Sequence, residues 1–161
     1  MAEIEIVRIN KKDDEQVIIG HAGFIKTVED LYEAMVCSVP GVKFGLAFAE
    51  ASGPCLIRGE GNDESMKALA ERNLLALSAG HTFMIIFKGA FPINVANAVK
   101  AVPEVTNVYC ATANAVQVLV VRTDAGSGVI GVIDGSGSRG IEGMEDREKR
   151  IRLLRDLGYK R

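Results

Sequence analysis

The chain has 161 residues, 48% apolar and 25% charged, with a net charge of −2; that is enough for one domain with a real core and excludes a disordered chain. The near-balanced charge provides no global basic field for nucleic acid. Three widely spaced cysteines, with no CxxC and no His/Cys pairing, give no zinc site, and no apolar run reaches the ~18 residues of a membrane helix.

The opening residues Met1 to Glu5 lack the features of a signal peptide. A cytoplasmic protein with reduced cysteines acting as small hydrophobes is therefore expected. Glu3 to Ile9 alternates in polarity, Lys11 to Asp14 reads as a turn, and Gln16 to Ile19 returns, which predicts an opening hairpin. Thr27 to Asp30 reads as a capping box. Behind it Val28, Leu31, Tyr32, Met35 and Val39 follow the spacing of a one-sided helix, which Pro40-Gly41 stops. Lys26, at the positive end of that helix, is either an anion contact or a solvated lysine.

Val42 to Ala51 predicts a strand with unequal faces: Phe44, Leu46 and Phe48 on one side, continued by Glu50, and Gly45, Ala47, Ala49 and Ala51 on the other. Ser52-Gly53-Pro54 turns the chain into a short returning strand, Cys55 to Arg58. Asn62 or Asp63 caps the next helix, whose core stripe is Met66, Leu69, Ala70, Leu74 and Leu77, with Gly80 placed as the left-handed residue after it. Thr82 to Phe87 is apolar on both faces, as a central strand is.

Phe91-Pro92 starts a third helix, with Val95, Val99 and Val102 on its apolar side and Pro103 ending it. Val105 to Thr112 and Ala115 to Arg122 read as strands joined by a tight turn at Ala113-Asn114. Gly128 to Asp134 is a further strand, Gly135 to Gly140 a glycine-rich loop, and Met144 to Leu157 a helix with Met144, Ile151, Leu154 and Leu157 turned inward. The pattern of about seven strands and four helices predicts an α/β (α+β) fold over residues 1–161: a single domain with a mixed, mostly antiparallel sheet and helices packed on it.

Two GxGxxG matches, Gly126 to Gly131 and Gly135 to Gly140, lack the strand–helix–strand context of a dinucleotide site. The second keeps a weaker meaning, a loop of backbone N–H groups for a phosphate beginning at Gly135, with Asp134 as its nearby acid. The same loop also reads as plain surface. Of the two histidines, His21 reads as a surface residue, while His81, at the mouth of the central strand, reads either as a satisfied core-edge histidine or as a functional one. If the strand from Thr82 runs parallel to Cys55–Arg58, then Glu50, Ser52 and His81 share one sheet edge. There Glu50 would orient the imidazole and raise its basicity. The preceding helix C-terminus favours imidazolium, which suits a phosphate anchor better than a nucleophile. Asn62, Asn94, Asn97 and Asn114 lie inside or beside regular elements and either cap and turn the chain or read a nucleobase or ribose edge. The C-terminal basic residues from Arg147 to Arg161 are interleaved with acids and read as a solvated face.

Several strings, among them Phe24 to Glu33, Val42 to Cys55, Gly61-Asn62-Asp63, Ala79-Gly80-His81, Phe91 to Val95, Ala111 to Asn114 and Gly131 to Gly135, together resemble the adenosine-specific kinase family across nearly the whole chain. The resemblance implies an oligomeric α/β fold, a trimer or a multiple of it, that binds adenosine or AMP, with His81 as the histidine that carries phosphate. It places Glu50, Ser52, Asn62, Asp63, Asn94 and Asn114 in matching strings. Two positions depart from it: Gly23 stands where a histidine is expected, and Ser127 where an arginine is expected. No Walker loop, kinase glycine loop or clear pair of magnesium carboxylates is present, so the phosphate donor and any magnesium ion stay unassigned. The expectation is an adenosine- or AMP-binding phosphotransferase, against a non-catalytic nucleotide sensor or a structural oligomer with a vestigial pocket.

Overall fold

A computed structural model describes residues 2–161. It contains eight strands and four helices. In chain order these are β1 (Glu3–Arg8), β2 (Gln16–Ala22), α1 (Thr27–Ser38), β3 (Lys43–Ala49), β4 (Ile57–Gly61), α2 (Glu64–Leu77), β5 (Thr82–Lys88), α3 (Pro92–Ala101), β6 (Val105–Thr112), β7 (Val116–Thr123), β8 (Gly126–Asp134) and α4 (Met144–Asp156). The class is α+β and every strand pairing is antiparallel, but the expected single sheet is divided in two. One has five strands in the order β4-β3-β5-β2-β6, the other three in the order β1-β7-β8.

β5 lies at the centre of the larger sheet, and its residues from Thr82 to Phe87 are buried. One face of that sheet takes α1 and α3: Phe44, Leu46, Phe48, Phe83, Ile85 and Phe87 meet Val28, Leu31, Met35, Val95 and Val99. On the other face, Ile19, Ala47, Met84 and Ile86 meet both α2, through Met66, Ala70, Leu74 and Leu77, and the small sheet, through Val118 and Val120. The molecule therefore has three layers, and each fully buried aliphatic or aromatic side chain contributes about 1.5–3 kcal/mol of transfer free energy. The flat face of β3 is what lets α2 descend onto it. A Cβ on Gly45 would lie 1.9 Å from the backbone nitrogen of Lys67.

Several expected details differ. β1 and β2 do not form a hairpin: β1 pairs with β7, while β2 pairs with β5 and β6. The segment between them crosses from one layer to another. It is held there by Asn73 of α2, whose side chain accepts from Asn10 N–H at 2.9 Å and donates to Asn10 C=O at 2.7 Å. Likewise β6 and β7 are not a hairpin. The chain changes sheets between Thr112 and Val116, and Asn114 is not among the residues in the left-handed region. β5 runs in the same direction as β4 but is not its neighbour, because β3 is inserted between them.

Thr27 is the first residue of α1 rather than its cap, and its hydroxyl donates to Phe24 C=O at 2.6 Å. α4 is helical as expected but buries no residue; Met144 is 85% exposed, and Leu157 is exposed as well. The larger sheet already has both faces covered, so no apolar surface is left there for α4. Cys110 is buried, whereas Cys37 and Cys55 are exposed and not the core hydrophobes expected. No helix among the described residues is long and apolar enough to cross a membrane.

Candidate functional site

The segment from the end of α2 to the start of β5 bends through two left-handed residues. Ser78 (φ 50) caps the helix, with its N–H donating to Leu74 C=O, and His81 (φ 62) opens the strand. Gly80, expected to be the left-handed residue, is not one of these; its glycine is required by close approach, since a Cβ there would lie 2.8 Å from the Cβ of Ala51. The His81 backbone is fixed on both sides, donating to Ala49 C=O at 2.7 Å and accepting from Ala22 N–H at 2.9 Å. This ties the end of β3, the start of β5 and the end of β2 into one rim.

The His81 ring stacks on Phe48, with centroids 5.8 Å apart and planes at 22°, and meets the edge of His21 at 5.7 Å. Its Nδ1–Cε1 edge faces Gly23, where a Cβ would stand 3.5 Å from Nδ1. A cleft of about 370 Å³ opens beside the ring, lined by Gly23, Phe24, Ile25, Phe48, Glu50, Ala51, Ser52 and His81. This is within the size range of small-molecule sites. A second cleft of about 460 Å³ adjoins it through Glu50 and Ala51; its walls include Cys55, Leu56, Ser78, Gly80 and the turn Ala125-Gly126-Ser127. Among the described residues four non-glycine residues have positive φ, Phe24, Cys55, Ser78 and His81, and all of them line these two clefts. Such backbone conformations cost free energy and concentrate where a site needs them.

Glu50 lies beside His81 in the cleft, but its carboxylate makes no hydrogen bond to the imidazole, the contact expected of an orienting group. Its Oε1 accepts from Arg58 Nε at 3.0 Å and Nη2 at 2.8 Å, and its Oε2 accepts from Leu56 N–H at 3.1 Å. The Leu56 hydrogen bond, followed by the Arg58 guanidinium, holds its carboxyl below the usual range. The physical reason is the hairpin itself, which returns Leu56 and Arg58 alongside the strand that Glu50 ends. The negative end of α2 is also partly answered. Arg122 of β7 donates to Ala76 C=O and Leu77 C=O, each at 3.1 Å, and to Ser127 Oγ at 3.1 Å. A guanidinium thus reaches Ser127 from the paired strand, although position 127 itself carries no arginine.

His21, read as a surface residue, faces this site. Its Nδ1 lies 2.7 Å from Thr106 Oγ1, whose hydroxyl lies 3.1 Å from His21 C=O. One hydroxyl proton satisfies both contacts if Thr106 donates to the carbonyl and accepts from Nδ1–H, which assigns the proton of a neutral His21 to Nδ1. Partial burial, then the neighbouring His81, pushes the His21 pKa down. Lys26 is neither an anion contact nor a free lysine. It donates to Asp30 and Glu104, which raise its pKa to about 12, the Asp30 hydrogen bond contributing most.

The remaining expected site residues lie elsewhere. Asn62, Asp63, Asn94, Asn114, Asp134 and Gly135 gather at the opposite ends of the strands, separated from Glu50 by the length of β3, about 20 Å. The Asn62 amide is engaged at both ends, accepting from Phe44 N–H and donating to Val42 C=O, each at 2.9 Å. Asp63 caps α2 through the N–H groups of Ser65 and Met66, and these contacts, with the Ser65 hydroxyl first, lower its pKa. Asn94 Oδ1 accepts from Phe91 N–H at 2.8 Å, and its Nδ2 lies 3.3 Å from Tyr159 Oη. Asp134 Oδ1 accepts from Thr112 Oγ1 at 2.8 Å and Asn114 Nδ2 at 2.9 Å, bracing the corner where the chain changes sheets. Gly135 (φ 67) packs against the Asn114 amide there. Asn97 is exposed on α3.

The site features missed in the sequence are Phe24, Arg58 and the contact of His21 with His81. An arginine eight residues after Glu50, across a predicted turn, was a legible signal for the first ion pair; nothing local announces the other two. Among the described residues no group of three or more His, Cys, Asp or Glu side chains is arranged to hold a metal ion.

The family model for adenosine-specific kinase matches residues 7–160. Among solved structures, the PH1918 protein from Pyrococcus horikoshii OT3 is 44% identical and superposes with a TM-score of 0.97, over 100% of this chain and 99% of that one. No curated protein matches the chain at a significant level.

Proposed function

The chain belongs to the adenosine-specific kinase family, and on that footing we propose that it binds adenosine or AMP in the His81 cleft and transfers a phosphoryl group to adenosine. The observation that carries this reading is the seating of His81. Its backbone is fixed in a left-handed conformation, Phe48 backs its ring, and its Nδ1 edge faces a glycine beside an open cleft.

In this reaction the 5′-hydroxyl oxygen of adenosine attacks the transferred phosphorus of a phosphate donor. The bond from phosphorus to the donor's leaving oxygen breaks, and the hydroxyl proton passes to a base. Because Glu50 is committed to Arg58, His81 has the chemistry of a phosphate anchor more than that of a carboxylate-activated nucleophile. Ser52, exposed on the cleft wall, is available to the ribose or phosphate. His81→Ala and His81→Gln proteins, assayed for AMP formation from adenosine and a magnesium–nucleoside triphosphate, test the proposal. Loss of turnover with the fold intact is expected, and undiminished turnover overturns it.

The commitment of Glu50 also favours a second reading, a non-catalytic nucleotide sensor using the same cleft. It predicts adenosine or AMP binding with no turnover. The homo-oligomer that the resemblance implies is part of the proposal and is supported by exposed apolar residues on the small sheet, Ile4, Ile6, Ile130 and Ile133. Light scattering tests it, a monomer being the contrary result.

A further inference from the structure

We infer that Phe24 is the platform on which the base of the bound nucleoside stacks, and so the residue that makes this cleft select a purine nucleoside over a bare sugar phosphate. The inference rests on the proposal that the His81 cleft takes adenosine or AMP.

Phe24 follows β2 and precedes α1, at the edge of the cleft that His81 lines. Its side chain is 62% exposed, as is that of Ile25 beside it, although an aromatic ring gains most from burial. Its φ of 133° lies in a region that side-chain-bearing residues rarely adopt. The conformation is imposed from both sides. Gly23 N–H donates to Glu104 C=O at 3.0 Å, while Phe24 C=O accepts from Thr27 N–H at 3.2 Å and from the Thr27 hydroxyl. A glycine would take this backbone without strain and would leave no apolar ring in water. A phenylalanine held there, open to solvent at a cleft mouth, has the form of a stacking surface. The other phenylalanine of the cleft, Phe48, is buried beneath His81 and has no free face to offer. Phe24 is thus the exposed aromatic among the cleft residues, and purine stacking is the interaction such a ring supplies.

Calorimetry on the full chain with two probes, adenosine and ribose 5-phosphate, tests this. The variants are Phe24→Ala, Phe24→Trp and Phe24→Gly. Phe24→Ala is expected to weaken adenosine about tenfold to a hundredfold, the range of one lost base–aromatic stack. It leaves ribose 5-phosphate within twofold of the native chain, and Phe24→Trp restores adenosine. Phe24→Gly is expected to lose adenosine in the same way while melting at a higher temperature than the native protein, since it releases the strained φ. Unchanged adenosine affinity in Phe24→Ala overturns the platform and leaves the function standing, and so does an equal loss of both probes. A change in oligomeric state by light scattering with adenosine binding intact would mark Phe24 as a subunit contact and likewise overturn it. No adenosine binding by the native chain overturns the proposed function and the platform together.

Discussion

His21 and His81, the two histidines of the chain, meet edge to face with ring centroids 5.7 Å apart, although sixty residues separate them in sequence. Antiparallel pairing of β2 with β5 sets His21 opposite Thr82, so the neighbouring His81 closes the same end of the sheet. A charge on the His81 ring therefore opposes protonation of His21.

That relationship predicts a titration. In the folded protein the His21 midpoint lies below 6.5, chiefly from burial and secondly from His81. His81→Gln should raise the His21 midpoint while leaving it below 6.5, because the larger cause remains. A pKa depressed by folding means that the unfolded chain binds more protons. The His21 contribution to stability is thus fully present above about pH 6.5 and is lost as pH falls from there through the folded midpoint. Proton NMR of the His21 Hε1 signal measures the midpoint, and a midpoint that is unmoved in His81→Gln contradicts the coupling.

The Glu50–Arg58 pair predicts a pH dependence at the acid end. Glu50 has its folded pKa held below the ordinary value of 4.5 by the Leu56 hydrogen bond and by Arg58. Its contribution is present above about pH 4.5 and is lost as pH falls through the lower, folded value. Urea midpoints of native and Glu50→Gln proteins should differ by a constant amount from pH 6 to 8 and converge in acid. A gap that persists at pH 2 would show that the carboxylate charge is not its source.

Thiol chemistry separates the cysteines. Burial first, and the nearby Asp134 second, push the Cys110 thiol to about 11, whereas Cys37 and Cys55 are exposed. A disulfide reagent at pH 8 should label two thiols quickly in the native protein and the third only after denaturation, with peptide mapping placing the slow site at Cys110.

The packing of α2 on β3 gives the sharpest stability test. In Gly45→Ala the new methyl would lie 1.9 Å from Lys67 N, a backbone atom that cannot swing away. The helix has to lift from the sheet, at a cost of about 3 kcal/mol and a fall in melting temperature of about 6–12 °C. Gly53→Ala, at a site with open space but positive φ, isolates the pure backbone term for comparison.

The parts of this fold that could be read from sequence are those set by local pattern. The β3–β4 hairpin follows from Ser52-Gly53-Pro54 between strand-like runs, α2 from its stripe and its Asp63 cap, and β5 from apolar residues on both faces. Two apparent hairpins failed for one reason. A short polar connection between alternating segments looks the same whether the second segment pairs with the first or crosses to another layer. The deciding contacts, Asn73 on Asn10 and Asp134 on Thr112, come from 63 and 22 residues away. α4 shows the converse: its apolar stripe implies a surface beneath it that the rest of the chain does not supply. At the site, the convergence of Glu50 and His81 was legible from chain direction, but the choice of Arg58 as the Glu50 partner was a matter of side-chain reach. The strain at Phe24 leaves no trace in composition.

The placement of β1 has a consequence for how the protein is made. Its partner, β7, emerges from the ribosome more than a hundred residues later, on the order of 10 s at ordinary elongation rates. Throughout that interval Ile4, Ile6 and Val7 form an unpaired strand able to pair with any edge that arrives first. The acids Glu3 and Glu5, interleaved among them, give the waiting segment a charge that discourages such a match until Arg122, the partner of Glu5, has been synthesised.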